Sequence, residues 1–307
     1  MGSDLNFAAR ASGLRPDPAG LMKLDAPAKI NLRLEVLGRL PNNYHLLRMF
    51  NVTVELCDEL EISFCGQEIR VQVDDPQIPA GRENLAFRAA EYFRAKFGIR
   101  EGAEILVRKR IPAAAGLAGG SSDAAAVLKA FCARSGIKNS SLDLEEIAYQ
   151  VGADVPYLLF GGPAWVEGIG DKIEQATDFP EIFLVLAKPG IEVSTSQVFA
   201  RFRQEPHLTI EPKRDILTRL ERDGFGGFCV NHLEKAVFAR HHELGEIKEL
   251  LLRLGAAAST MSGSGSTLVG IFLDQAKAGR AAQMLKQEKP ALWTCAVRQY
   301  GPQKEGD

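Results

Sequence analysis

The chain has 307 residues, enough for two domains or one large domain with a sizeable core. Hydrophobic residues make up 46 % and charged residues 25 %, both globular values, and a net charge of −2 leaves no bulk basic field to hold nucleic acid or a membrane surface. Five scattered cysteines with no C-x-x-C pair read as a reduced, cytoplasmic protein rather than a disulfide or zinc scaffold, and no apolar run reaches the roughly 18 residues of a membrane helix.

The opening twenty residues lack the apolar core of a signal peptide, so 1–22 are expected to be a loose tail, with Met22 an alternative start. From Ile30 to Val36 apolar and polar residues alternate, the pattern of a half-buried strand with Lys29 at its start. A polar turn, Pro41-Asn42-Asn43, precedes Tyr44-His45. Three more alternating runs follow, Phe50 to Leu56, Leu60 to Phe64 and Ile69 to Val73; their short connections predict an antiparallel meander. The spacing predicts a helix over 84–97, a strand over 104–109 and a helix over 144–151, then a compact turn at Gly152-Ala153-Asp154-Val155-Pro156. Strands are expected over 160–169 and 182–187, with a domain boundary near Phe179-Pro180. The domains would then be 23–180 and 181–307. Helices are expected over 196–203, 213–222, 233–241, 244–254 and 275–286, and strands over 268–272 and 293–299. Mixed strands and segregated helices give an α+β architecture.

The chain is organised around Pro112 to Phe131, PAAAGLAGGSSDAAAVLKAF. Gly116, Gly119 and Gly120 run directly into Ser121 and Ser122, after which the apolar residues take helical spacing. Glycines allow close approach of a ligand, and Ser121 or Ser122 is expected to cap the new helix, whose remaining N–H groups and dipole then form an anion site. The common phosphate loop is excluded, because no lysine precedes the serines, and no H-R-D or D-F-G appears. Any lysine acting on a nucleotide must come from elsewhere in the chain.

Several side chains are open to two readings. Asp154 either presents a carboxylate to a substrate hydroxyl or closes an Asx-turn on its own backbone, with Pro156 expected to hold Val155 extended. Lys29 is either a surface lysine or, if it meets Asp154, a positive charge where phosphoryl transfer builds up negative charge. The segment Ser262-Gly263-Ser264-Gly265-Ser266-Thr267 either wraps phosphate or substrate or is a tight turn before the next strand. Tyr44-His45 offers a flat ring and a directional hydrogen-bonding group suited to a base, or is an ordinary strand edge. His207, His232 and His241-His242 offer no ligand spacing.

PAAAGLAGGSSDAA resembles the phosphate motif of the GHMP kinases and MSGSGSTLVG their C-terminal motif, while APAKINLRLEVLGR, PNNYH and GADVP narrow the resemblance to the branch acting on a cytidine diphosphate conjugate of methylerythritol. The resemblance spans roughly 24–299. It implies a two-domain GHMP fold, with a β-rich α/β N-terminal domain and an α+β, ferredoxin-like C-terminal domain. It also implies ATP and Mg²⁺ as cofactors, a small-molecule acceptor, and a monomer or weak homodimer. Carried over residue by residue, it makes Lys29 and Asp154 the catalytic pair and gives Asn31 the substrate. It sets Tyr44 and His45, with Phe199 as a second face, around the cytosine. Pro112, Gly116, Leu117, Ala118, Gly119, Gly120, Ser121 and Ser122 would cradle the ATP phosphates, with Asn84 and Lys109 near the adenosine. Two positions depart from the family: Ala118 stands where glycine is usual, tolerable unless that residue needs positive φ, and Asn42-Asn43 stands for Asp-Gly, a turn expected to survive. Rival readings are a GHMP kinase for homoserine, mevalonate or a sugar, and a non-catalytic nucleotide-binding relative, which would need neither Lys29 nor Asp154.

Overall fold

The computed structural model describes residues 17, 20–41, 44–138, 141–202 and 211–300. The expected Asn42-Asn43 turn, His207 and most of the N-terminal tail lie outside them. In chain order the elements are β1 (Leu21–Arg39), β2 (His45–Phe64), β3 (Ile69–Val73), α1 (Leu85–Phe97), β4 (Ala103–Arg108), α2 (Gly119–Ser135), α3 (Leu142–Val151), α4 (Val155–Phe160), β5 (Ala164–Gly168) and β6 (Lys172–Gln175). There follow β7 (Phe183–Lys188), α5 (Thr195–Arg201), α6 (Lys213–Asp223), α7 (Phe225–Phe228), β8 (Val230–Asn231), α8 (Glu234–Phe238), α9 (His242–Arg253), β9 (Ala258–Met261), β10 (Leu268–Phe272), α10 (Gln275–Glu288) and β11 (Trp293–Arg298).

The expected meander is corrected. The second and third alternating runs are one strand, β2, which forms an antiparallel hairpin with β1, but β3 does not join it: β4 lies between them, pairing antiparallel with β2 and parallel with β3. Helix α1 makes the β3-to-β4 crossover, as a parallel pair requires. Pairing of β1 begins at Leu21 and Met22, opposite Ser63 and Ile62, so the last two residues of the expected tail belong to the strand. The first sheet runs β3-β4-β2-β1-β8, with β5 and β6 added beside β2. The second runs β11-β7-β10-β9, all antiparallel, and with α5–α9 and α10 in the connections this is the β-α-β-β-α-β, ferredoxin-like order. The change from one sheet to the other falls between β6 and β7. The two parts still interlock, because β8 pairs with β1.

β1 is buried on both faces. Ala28, Ile30 and Leu32 pack with Phe50, Val52 and the second sheet's Leu184, Leu186, Val269 and Ile271. On the opposite side Lys29, Asn31, Arg33 and Glu35 are only 4, 1, 4 and 3 % exposed, so the expected half-buried strand has a polar interior face instead of a wet one. Buried polar groups persist only when paired, and these are: Lys29 bonds to Asn31, and Arg33 Nη2 lies 2.8 Å from Glu35 Oε1. Register shifts at Pro27/Ala28 and Asn31/Arg33 bracket Lys29 and Asn31 and re-aim them.

Helix α1 starts at Asn84, whose Oδ1 accepts the Ala86 N–H at 2.8 Å, and stops at Gly98 in the left-handed conformation. Its inner face, Ala86, Ala89, Ala90 and Phe93, meets α2. α2 is buried nearly all round by Ala124, Ala125, Ala126, Val127, Leu128 and Phe131, as befits a helix enclosed by α1, α4 and β1. That enclosure fixes the glycine stretch at its N-terminus.

Candidate active site

The glycine stretch meets β1 through backbone. Lys29 donates its N–H to Leu117 O at 2.9 Å, and Ser122 Oγ donates to Pro27 O at 2.7 Å. Gly116 has φ +74°, and a Cβ built there would lie 2.3 Å from Ser262 O, so only glycine fits. The helix-capping expectation needs correction. The N-cap of α2 is Ala118, at φ 57° with no side-chain cap, and Ser121 and Ser122 lie inside the first turn. The first N–H groups of a helix have no acceptor within it, so at α2 they stay free to face a ligand. Ala118 therefore does sit at the positive φ that favours the glycine usual in the family, a conformation costing a non-glycine residue about 1–2 kcal/mol.

Beside the loop lies a cavity of about 350 Å³ lined by Ile78, Pro79, Glu83, Asn84, Leu85, Lys109, Asp123 and the run from Ile111 to Ser121. Asn84 reaches it, but its amide is engaged in capping α1 and in donating to Pro79 O at 2.8 Å. Lys109 is held between two carboxylates the sequence reading passed over, Asp58 Oδ2 at 2.5 Å and Asp123 Oδ2 at 2.7 Å. Asp58 Oδ1 also takes the N–H groups of Arg110 and Ile111, at 2.6 and 2.8 Å, and so fixes where the loop leaves β4. Burial pushes the Asp123 carboxyl up to about 7, against the pull of Lys109. Burial works to lower the Lys109 ammonium, but Asp123 and Asp58 outweigh it and raise it above the usual lysine range. The signal for Asp58 was in the sequence: it occupies an inward phase of the run Val54, Leu56, Leu60, Ile62, where an acid is out of place.

Two side chains 125 positions apart in the chain converge at the end of β1. Lys29 Nζ lies 3.1 Å from Asp154 Oδ1, with side chains 6 and 34 % exposed. Asp154 precedes α4 and makes no side-chain cap bond, so the Asx-turn reading fails and the carboxylate points at the lysine. Val155 is not extended but opens α4, with Pro156 in the first turn, where proline's missing N–H is no loss. Lys29 Nζ also donates to Asn31 Oδ1 at 2.9 Å, and Asn31 Nδ2 donates to Asn51 Oδ1 at 2.6 Å. Asn31 is only 1 % exposed, so its amide faces the lysine rather than open space. The second glycine-serine segment closes this group from behind: Ser262 Oγ accepts the Asn31 N–H at 3.1 Å and donates to Gly116 O at 2.9 Å.

The third group stands at the far end of β1. His45, paired with Arg39, carries its ring 4.9 Å from Phe199 of α5 and 6.3 Å, edge-on, from Phe202. Burial, helped by Arg39, holds the imidazole below its usual range, which favours the uncharged ring with one donor and one acceptor nitrogen. Tyr44 is 63 % exposed beside it. Among the described residues no group of three or more His, Cys, Asp or Glu converges to hold a metal ion. No described helix is long and apolar enough to cross a membrane.

Comparison with known proteins agrees with this geometry. Residues 84–162 match the family model described as GHMP kinases N terminal domain, and 209–291 the model described as GHMP kinases C terminal. The chain is 43 % identical to 4-diphosphocytidyl-2-C-methyl-D-erythritol kinase of Syntrophotalea carbinolica over 85 % of this chain and 92 % of that one. It is 41 % identical to the protein of the same name from Geobacter sp., over 90 % and 98 %. A crystal structure of 4-(cytidine 5'-diphospho)-2C-methyl-D-erythritol kinase superposes with TM-score 0.78 at 35 % identity, covering 91 % of this chain and all of that one. A homoserine kinase from Cytophaga hutchinsonii, at 18 % identity and TM-score 0.71, shares the fold. The chain belongs to the GHMP kinases and, within them, to the 4-diphosphocytidyl-2-C-methyl-D-erythritol kinases.

Proposed function

We propose that the chain transfers the γ-phosphoryl group of ATP to the 2-hydroxyl of 4-diphosphocytidyl-2-C-methyl-D-erythritol, giving the 2-phosphate and ADP, in non-mevalonate isoprenoid biosynthesis. The observation that carries this reading is the Lys29–Asp154 pair at 3.1 Å, on a strand whose Lys29 N–H is bonded to the glycine loop at Leu117 O.

The residues around the loop fit a nucleotide: a cavity of about 350 Å³ lined by Gly116, Gly119 and Gly120, and uncapped N–H groups at the start of α2. When bound there, ATP supplies the phosphoryl group. Gly116 to Ser122 hold its phosphates by backbone N–H groups and the helix dipole. Asp154 accepts the proton of the acceptor hydroxyl as its oxygen bonds to the γ-phosphorus and the bond to the departing ADP breaks. Lys29, with two of its three donors placed on Asp154 and Asn31, turns the third toward the charge that builds on the transferred group. Most of the acceleration in such transfers comes from positioning and electrostatics, which these fixed groups provide. His45, Tyr44 and Phe199 hold the cytosine, the ring of His45 fixed by Phe199 and its neutral nitrogens free to pair. The unpaired cysteines and the absence among the described helices of a membrane span are in keeping with a cytoplasmic enzyme.

A coupled ADP-release assay with cytidyl-methylerythritol, mevalonate and homoserine as acceptors tests the reading. The expected result is a kcat/KM at least about a hundredfold higher for the cytidyl acceptor, since only it engages a site built to hydrogen-bond a base. Equal rates for the three would reject it.

A further inference from the structure

Asn51 lies in the middle of β2, between Asn31 of β1 and Ala164 of β5, and is fully buried. A β-branched apolar residue suits such a central position best. Instead an amide is buried there, and its Nδ2 has no hydrogen-bond partner. Leaving a buried donor unsatisfied costs about 1–3 kcal/mol. Asn51 Oδ1, by contrast, is used: it takes Asn31 Nδ2 at 2.6 Å.

That contact closes a file of polar groups running from inside the sheet to the ion pair. Asn31 is held at its nitrogen by Asn51, with Met49 Sδ at 3.4 Å, and at its oxygen by Lys29 Nζ at 2.9 Å. Its backbone N–H is held by Ser262, and a Cβ at Gly263 would come within 3.3 Å of its oxygen. The Asn31 amide cannot turn over without setting two donors against each other at Lys29. An ammonium on a four-carbon stem is otherwise free to rotate. We propose that Asn51 is a positioning residue for phosphoryl transfer: through Asn31 it fixes the Lys29 ammonium so that one N–H is left pointing at the transferred group. The unsatisfied amide of Asn51 is then stability given up for orientation, as at other functional sites.

The proposal rests on Lys29 and Asp154 being the catalytic pair, and the test separates the two. Purified Asn51→Val, Asn31→Ala, the double variant and Lys29→Met are compared by thermal unfolding and by steady-state kinetics in both substrates. Asn51→Val removes one buried orphan donor but strands Asn31 Nδ2, so it is expected to unfold near the wild-type temperature, while its kcat falls about tenfold and its KM for ATP stays within about twofold. In the Asn31→Ala background the same substitution is expected to cost nothing further, since its effect passes through Asn31. Asn51→Thr, which keeps a hydroxyl acceptor, is expected to recover part of the rate, and it gives the same comparison if the valine variant does not fold. A lowered unfolding temperature with unchanged kcat, or a full additional loss in the Asn31→Ala background, overturns the proposal. A Lys29→Met enzyme with wild-type kcat overturns the catalytic pair itself.

Discussion

Two glycine-serine segments of similar composition, Gly116–Ser122 and Ser262–Thr267, do opposite things. In the second every serine hydroxyl is engaged: Ser262 on Gly116 O, Ser264 with Thr195 at 2.7 Å, Ser266 on Ile191 O at 2.8 Å. The segment is buried and serves as a wedge. In the first, Ser122 is tied to Pro27, but Gly120 is exposed, Ser121 lines the cavity and the helix start is uncapped. What separates the two segments is which donors remain free once the chain has folded, and composition does not report that. Ser262–Thr267, for which the sequence left open a wrap around phosphate or substrate or a tight turn, is seen here to hold Gly116–Ser122 through Ser262 and Gly116.

The contact between the two segments is open to direct test by substitution. Gly116→Ala puts a methyl group on Ser262 O in a left-handed backbone, and the expected loss is about 3 kcal/mol or more of stability, seen as a lowered midpoint in urea unfolding. A wild-type midpoint would mean the segments are not in contact. On the cavity side, Asp123 gives stability a pH dependence. Its folded-state pKa is raised from 3.8 to about 7, so its contribution to stability is full below the lower value and is lost as pH rises through the upper one. The wild type should therefore lose stability relative to Asp123→Asn between about pH 4 and pH 7, read from thermal unfolding of both across that range; parallel curves would place the titration elsewhere. The smallest effect is at Ala118. Ala118→Gly removes the left-handed strain and is expected to add up to about 1 kcal/mol, raising the unfolding temperature by about 2 °C.

Strand β1, the capped helix α1, the glycine stretch and the second sheet's helices could be read from periodicity because each element carries its own local signal. The position of β3 could not, since parallel pairing with β4 depends on a crossover that no local pattern encodes. β1 read as half-buried because its polar alternation is the same whether that face meets water or a buried ionic row. At the site, motif residues Lys29, Asp154 and the loop glycines were legible through family resemblance, whereas Asn51, Asp58 and Ser262 act only on other residues and show their role through distance. Asp154 illustrates the limit from the other side: its sequence context permitted an Asx-turn, and the ion pair with Lys29 decided against it.

The central claim is that Asp154 takes the proton of the acceptor hydroxyl. Asp154→Asn keeps the shape and, because Asp154 caps nothing, leaves α4 undisturbed. Single-turnover ADP release by this variant, with acceptor affinity measured by calorimetry, should show a rate lower by about 10²–10⁴-fold while the acceptor Kd stays within about threefold. A variant that turns over at near the wild-type rate would contradict the account.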